Sequence, residues 1–326
     1  MASPNPLLDL PGMASLRERV EKRLAVAVES GDPAMTEMAS HLVMAGGKRL
    51  RPVLASLSST AGSGSTTVSD DAVTGGVACE LVHVGSLHHD DVIDEAEMRH
   101  GVDSVNARWG NLRAILSGDF LLARASELAA SLGTEVAGLL AATIGRLCEG
   151  EVRELRFAYQ VDRSVADYAA AIEGKTAALY STACRIGGIV ADLPRAEIDA
   201  LTDFGLHYGM AFQVVDDILD VVATDEELGK PAGHDMAEGI YNLPVLRALD
   251  GAGGGELRAL LGGPLTPDAQ DRALALVRAG DGVAQSIVEA RAYVDRALAD
   301  LDRLPPTPAG DALAAASRHL LVDLER

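Results

Sequence analysis

At 326 residues and a formal net charge of −20, the chain lacks the basic footprint that nucleic acid requires and any general attraction to anionic lipid surfaces. Its three cysteines, Cys79, Cys148 and Cys184, are too widely spaced for a zinc or dithiol pattern and read as small buried side chains of a reducing compartment. The N-terminus shows no charged start followed by an apolar core, and no apolar run nears about 18 residues, so a cytoplasmic chain without a membrane span is expected.

Helical periodicity recurs almost throughout. Helices are predicted over residues 15–30, 34–45 and 52–59, the last opening on Pro52, which a first helical turn tolerates. The Gly/Ser/Thr stretch 61–69 reads as a surface loop. Helices follow over 70–95, 104–132 (opening at Ser104), 134–159, 165–190, 196–222 and 239–249. A break at 250–255 (DGAGGG) precedes the C-terminal quarter, about 250–326, where further packed helices are predicted over 267–279, 282–301 and 311–324. Residues 304–310 (LPPTPAG) read as another surface loop. No segment alternates with period two, and the scarcity of aromatics suits closely packed helices. The expectation is an all-α protein: one domain, 1–326, of long antiparallel helices around a deep apolar cavity.

Two acidic clusters of identical spacing stand out: Asp90, Asp91 and Asp94 in HHDDVID, and Asp216, Asp217 and Asp220 in VVDDILD. Each reads D-D-x-x-D inside an apolar stretch of predicted helix. Their starts lie 216 − 90 = 126 residues apart, so only the fold can bring them together. Residues three or four apart share a helix face, and like charges there repel. Near an apolar core that repulsion grows unless cations neutralise it. One such cluster reads well as a solvated helix end. Two, both flanked by apolar residues, favour a site for Mg²⁺, which takes one or two carboxylates and completes its shell with water and phosphate. Facing helices would make a carboxylate-rimmed cavity, with Val82, Gly85, Ser86 and Leu87 among its walls. Such a cavity suits a ligand with a charged head and an apolar tail.

Four basic segments could balance the acids. Residues 46–52 (GGKRLRP) pack Lys48, Arg49 and Arg51 behind two glycines; Arg99-His100-Gly101 closes the first acidic helix. Gly174-Lys175-Thr176 interrupts an apolar helix, and Gly229-Lys230-Pro231 follows the second acidic cluster. Glycines allow close backbone approach, and Lys and Arg supply charge-assisted hydrogen bonds. A lone basic triplet is usually a solvated patch, and GGKRLRP is not a P-loop. Lys175 in its apolar helix is harder to read that way.

In order along the chain, GGKRLRP (46–52), HVGSLHHDDVIDEAEMRHG (83–101), LSGDFLLARA (116–125), EGKTAALY (173–180), FQVVDDILD (212–220), GKPAGHD (229–235) and NLP (242–244) resemble the trans-isoprenyl diphosphate (polyprenyl) synthase family. The resemblance implies an isoprenoid-synthase-type fold, usually homodimeric. The implied reaction joins an allylic prenyl diphosphate head-to-tail to isopentenyl diphosphate, lengthening the chain in trans and releasing diphosphate. It implies that Asp90, Asp91, Asp94, Asp216, Asp217 and Asp220 bind several Mg²⁺ ions, with Mn²⁺ able to stand in. It implies that Arg99, Lys175 and Lys230 clamp the allylic diphosphate, and that Lys48, Arg51 and His83 hold isopentenyl diphosphate, with a weaker case for Arg49. Thr176 and Gln213 would present oxygen dipoles to a developing carbocation. The chemistry has its own logic: diphosphate leaves only if its charge is neutralised, the cation survives only where water is excluded, and the second substrate must be held in line. The released diphosphate would take the proton, so no side-chain base is required.

The chain departs from the family pattern at three places. His100 stands where a second arginine is common and where contact with isopentenyl diphosphate is expected; Ile240 replaces a lysine and Asn242 a threonine. A histidine is near-neutral at pH 7, which weakens that contact. Ser86 lies one helical turn, about 6 Å, before Asp90. In the family, bulky aromatics near this turn mark short-product enzymes; Ser86 and Gly85 are small, so the resemblance implies a product of roughly twenty carbons or more, with a longer chain of the quinone-tail kind favoured. Two alternatives stand beside this reading. One is a class I terpene cyclase, which would need no second diphosphate site; the other is a non-catalytic subunit of a heteromeric synthase, which would be expected to lose aspartates that this chain retains.

Overall fold

The computed structural model describes residues 7, 12–62, 65, 67–224 and 232–324. Helices α1 (Met13–Ala27), α2 (Pro33–Met44) and α3 (Leu50–Ala61) lead to the long α4 (Asp70–Ile93). A hairpin of β1 (Met98–Arg99) and β2 (Val102–Asp103) follows, then α5 (Val105–Trp109), α6 (Asn111–Ser131) and α7 (Thr134–Arg156). α8 (Val165–Ile172) passes through a π-helical turn, Glu173–Ala177, into α9 (Ala178–Val190), and α10 (Arg195–Val222) comes next. The C-terminal part holds α11 (His234–Ala237), α12 (Leu243–Leu249), α13 (Gly254–Leu260), α14 (Pro267–Ala279), α15 (Gly282–Leu301) and α16 (Pro308–His319), with a short 3₁₀ turn at Val322–Leu324.

Burial explains which helices are central. α3 from Pro52 to Ala61 and α4 from Ala72 to Leu81 are buried on every side, the mark of a helix surrounded by others rather than lying on a surface. Two of the hydroxyls this buries in α3 turn back on their own helix: Ser59 donates to Ser56 O at 2.7 Å and Thr60 to Leu57 O at 3.0 Å. α6 packs along α4, α3 lies between α4 and α9, and α10 lies against α9 and α15. α10 spans about 42 Å at ~1.5 Å per residue. Its first half (Ile198, Leu201, Phe204, Tyr208) joins the large core around α3, α4 and α9, and its second half (Met210, Val214, Ile218, Val221) joins a second core with α8, α12, α14 and α15. The second acidic cluster therefore sits on the half of α10 that belongs to the second core.

The all-α expectation is met, with instructive differences at the boundaries. The predicted 104–132 helix is two, because Gly110 at φ 87° breaks it. The 239–249 helix starts late, at Leu243, after Gly239 at φ 83°. Pro308 and the Thr307 cap, whose hydroxyl accepts from Gly310 N at 3.1 Å, turn the end of the supposed 304–310 loop into the start of α16. That helix ends at His319, before the predicted limit of 324. The DGAGGG break hides α13, and α11 and the β1–β2 hairpin are additional elements. Among the described residues, no helix is long and apolar enough to cross a membrane.

Candidate active site

The first acidic cluster occupies the last turn of α4, and its three carboxylates are not equivalent. Asp90 is half-buried, Asp94 is exposed and caps the helix, and Asp91 is fully buried. Asp91 faces the hairpin, where Arg99 donates to its Oδ1 from Nε at 2.8 Å and approaches it with Nη2 at 2.6 Å. The hairpin turns on His100 and Gly101, at φ 52° and 79°, the left-handed pair that a two-residue loop requires. Asn106 and Ser104 tie its base to α4, donating to Asp91 O and Ala96 O.

Lys175 lies on the π-helical turn opposite. π-turns insert a residue and re-aim side chains, and they cluster at functional sites. Here Gly150 of α7 lets the turn come close: a Cβ there would lie 2.5 Å from Lys175 N. Lys175 Nζ thus reaches Glu154 Oε2 at 2.5 Å and Glu151 Oε2 at 2.8 Å. Burial opposes its charge, but the two glutamates outweigh that and raise its pKa. The ammonium also acts on Asp90 and Asp94, the first link between α4 and α7. Burial pushes Asp90 up to about 7, against the pull of Lys175 and with Glu151 and Asp94 adding to it. Asp94 shifts the same way, again chiefly from burial. Asp94, Glu151 and Glu154 line a cleft of about 240 Å³ with Glu238 and Ile240 on the far wall.

The next residue, Thr176, makes the link to the second cluster. Its hydroxyl donates to Gln213 Oε1 at 2.8 Å, and Gln213 Nε2 donates to Asp217 Oδ1 at 2.9 Å. Tyr168 OH donates to the other oxygen, Asp217 Oδ2, at 2.5 Å. Burial raises the Asp217 pKa well above the carboxylate range, Asp235 adds to that, and the bonds from Tyr168 and Gln213 oppose it. Asp216 is exposed, while Asp220 is buried and its carbonyl accepts from Gly233 N at 2.8 Å.

A basic pole lies behind the first cluster. Arg51 stacks over the Tyr180 ring at 4.7 Å, and its buried Nε finds no hydrogen-bond acceptor among the described residues. The His83 imidazole is held well below its ordinary pKa by burial, then by Arg51, His100, Arg99 and Arg49. His100 is lowered too, by burial and by Arg99 and Arg49. Three expected cations of the GGKRLRP loop therefore divide: Lys48 is exposed, Arg51 faces His83, and Arg49 turns inward. At φ 52°, Arg49 donates to both Glu21 oxygens, to Glu80 Oε1 at 3.2 Å and to Val43 O at 2.5 Å. Its role is to pin the loop.

Lys230 lies outside the described residues. Gly85 does not border open space: a Cβ there would lie 3.1 Å from Gly118 O and 3.4 Å from Leu121 Cβ, so its smallness serves the α4–α6 contact. Ser86 is half-buried, its hydroxyl donating to His83 O at 2.9 Å. Sequence reading missed Glu151, Glu154 and Tyr168. The glutamates carry a faint signal, an i, i+3 pair in an otherwise apolar-faced helix; Tyr168 carries none.

The donor set fits a hard divalent cation. Four carboxylates, those of Asp94, Glu151, Glu154 and Glu238, line the cleft, an all-oxygen set of the kind such ions prefer. Among the described residues no three acidic, histidine or cysteine side chains form a ready-made cage.

The sequence model of the family "Polyprenyl synthetase" matches residues 32–275. The chain is similar to the nonaprenyl diphosphate synthase of Mycobacterium tuberculosis, 40% identical over 310 residues, covering 92% of each chain. It is 39% identical over 290 residues to heptaprenyl diphosphate synthase component 2 of Geobacillus stearothermophilus, covering 88% of this chain and 89% of that one. Its fold superimposes on a polyprenyl synthase from Caulobacter crescentus, solved with calcium and isoprenyl diphosphate, at a TM-score of 0.89 and 31% identity, covering 97% and 96% of the two chains.

Proposed function

The chain belongs to the polyprenyl synthetase family, a family of prenyltransferases, and from that premise we propose that it condenses isopentenyl diphosphate head-to-tail with an allylic prenyl diphosphate, in trans, releasing diphosphate. The observation that carries this reading is the pair at 175–176. Lys175 pairs with Glu151 and Glu154, which line one cleft with Asp94 of the first acidic cluster, while Thr176 is bonded through Gln213 to Asp217 of the second. One short turn thus joins two motifs that are 126 residues apart.

Lys175 and Arg99 bind the allylic diphosphate, with Lys230 as a further clamp. When bound, Mg²⁺ supplies positive charge to the departing diphosphate; Asp90 and Asp94 on one side and Asp216 and Asp220 on the other are the carboxylates that would hold it. Arg51, Lys48, His83 and His100 hold isopentenyl diphosphate, keeping its double bond in line with the reacting carbon. Thr176 and Gln213 turn oxygen dipoles toward the positive carbon, and the Tyr180, Tyr208 and Phe212 rings, packed at 5.7 and 5.5 Å, keep water from the floor beneath them. The released diphosphate takes the proton. Ile240 in the cleft wall leaves an apolar side chain where the family often has a cation, so that loop is given no part in holding phosphate.

Ser86 is the residue to which we assign the limit on product length, and the nonaprenyl and heptaprenyl names of two relatives support a long product. Leu112 (72% exposed) and Leu116 on α6, with Val152 on α7, give an apolar face on which a second copy would pack. The homodimer is what membership of the family implies, that face would accommodate it, and sedimentation of the purified chain tests it.

The decisive experiment incubates the purified chain with radiolabelled isopentenyl diphosphate and allylic primers of increasing length, with and without Mg²⁺ or Mn²⁺. Metal-dependent elongated products are expected, and Ser86→Phe is expected to shorten them. A cyclic hydrocarbon formed from the allylic diphosphate alone would point to a cyclase instead. Product formed only after mixing with a second homologous subunit would point to a heteromeric component, as the Geobacillus relative is named.

A further inference from the structure

Hydrogen bonds around Asp217 run in one direction and end at Thr176. Asp217 is 4% exposed, and both of its oxygens accept from the protein: Oδ2 from Tyr168 OH at 2.5 Å, Oδ1 from Gln213 Nε2 at 2.9 Å. With its amide nitrogen spent on a carboxylate, Gln213 has only its oxygen to turn the other way, and Thr176 Oγ1 donates to that oxygen at 2.8 Å. A hydroxyl carries one proton and two lone pairs. The Thr176 proton is committed to Gln213, so what Thr176 offers the cavity beside Lys175 is lone pairs.

We propose that Tyr168 and Asp217 are positioning residues that fix this polarity, so that Thr176 and Gln213 show acceptor oxygens rather than protons to the allylic cation, and that Asp217 is not itself a metal ligand. The inference rests on the prenyl-transfer reading above. If the amide of Gln213 turned over, its nitrogen would face Thr176, the hydroxyl proton would be released toward the cavity, and a dipole that stabilises positive charge would oppose it. Further contacts hold the far end of the chain in place. Tyr168 is 3% exposed, at the first turn of a helix capped by Ser164, whose hydroxyl accepts from Asp167 N at 3.1 Å. The Arg163 guanidinium lies 5.6 Å from the Tyr168 ring centre and donates to Tyr241 O at 3.3 Å. Asn242 donates to the backbone oxygen of Asp217 at 3.4 Å, fixing that turn of α10 from the other side.

Two near-isosteric variants separate the positioning role from metal ligation. Tyr168→Phe removes one donor to Asp217. Asp217→Asn puts an amide NH₂ against one of two donors, so the chain cannot keep its direction. The first readout is calorimetric binding of a non-ionising thiolo analogue of the allylic diphosphate in the presence of Mn²⁺, which also reports a folded site. Both variants are expected to bind it within about fivefold of the wild type, and KM for both substrates should stay within the same limit. The kcat is expected to fall by about tenfold in Tyr168→Phe and about a hundredfold in Asp217→Asn, as for lost hydrogen bonds to a charged group. Fluorination of the allylic substrate slows ionisation, and the variants should be slowed by it more than the wild type, a sensitivity that a merely structural role would leave unmoved. Loss of analogue binding beyond about fivefold in Asp217→Asn would mark Asp217 as a metal ligand and overturn the proposal. So would an unchanged kcat in Tyr168→Phe, or an unchanged fluorine effect in both. Turnover by the wild type decides the prenyl-transfer reading; only the ratios of variant to wild type decide this one.

Discussion

His100 sits at φ 52° in the tip of the β1–β2 hairpin, with Arg99, Arg49 and His83 as its electrostatic neighbours. Burial and those arginines lower its pKa, so at neutral pH it brings no charge to a pole that has to hold a diphosphate. His100→Arg is therefore expected to lower the KM for isopentenyl diphosphate by roughly threefold, the scale of one partly solvated charge-assisted contact. The sign of the pH effect follows from the lowered pKa. The imidazole gains its proton only below the ordinary histidine range, so the wild-type KM should fall toward the variant's as the solution is acidified, and their ratio should approach one. Steady-state kinetics at several pH values measure this, and an equal ratio at all pH values would place His100 outside the pocket. At this scale the sequence was legible where chemistry repeats itself. Six aspartates in two D-D-x-x-D clusters cannot be explained by solvation alone, whereas Tyr168 and Glu154 are single residues whose roles arise from what the fold sets opposite them. Even among the aspartates, spacing suggested that Asp91 could share a face with Asp94. The structure turns Asp91 inward to Arg99 and leaves Asp94 on the cleft, with Asp90 half-buried one turn before it.

The element that organises the site is the π-helical turn, and its position depends on two glycines. A Cβ on Gly150 would lie 2.5 Å from Lys175 N and 2.9 Å from Gly174 C; one on Gly174 would lie 2.8 Å from Arg146 O. Both near contacts are with backbone, which has no rotamer to yield. Gly150→Ala is expected to push α7 away from the turn, destabilise the fold by about 2 kcal/mol as overpacking does, and cost kcat, because Glu151 and Glu154 then no longer aim Lys175. Thermal unfolding and kcat are the two measurements; a variant with wild-type Tm and wild-type kcat would show that the close approach is dispensable. Helix period alone does not reveal such an element. Residues 165–190 read as one helix because a π-turn adds a single residue without breaking the apolar stripe. The hairpin was invisible for the opposite reason: two residues per strand are too few to alternate, and only the His100-Gly101 pair, favourable to positive φ, marks it.

Across the whole molecule, the net charge of −20 and the buried carboxylates at the site act on stability in the same direction. Asp90 is raised from 3.8 to about 7, first by burial, with Lys175 opposing. Between those values the folded chain holds a proton that the unfolded chain has released, so folding takes up protons and stability rises as the pH falls through about 7. Asp91 and Asp94, raised chiefly by burial as well, add to the slope, and acidification also relieves repulsion across the acidic surface. His83, His88 and His100, whose pKa values burial lowers, act the other way over the same range, so the Asp90 contribution is read as the Tm advantage of Asp90→Asn over the wild type in the metal-free state, which is expected to grow as the pH rises through about 7. Mg²⁺ with inorganic diphosphate should reverse this. It binds the ionised site and stabilises the folded chain by mass action, so the gain in Tm should be large at about pH 8 and shrink as the carboxylates take up protons. Asp90→Asn removes the titrating group. It is expected to raise the Tm of the metal-free chain at alkaline pH, leave it closer to that of the wild type at acid pH, and reduce the gain from Mg²⁺ and diphosphate. Scanning calorimetry of both chains across this range, with and without the ligands, measures all three effects. A ligand-induced gain that is the same at every pH, and the same in Asp90→Asn, would show that the first acidic cluster does not hold the ion.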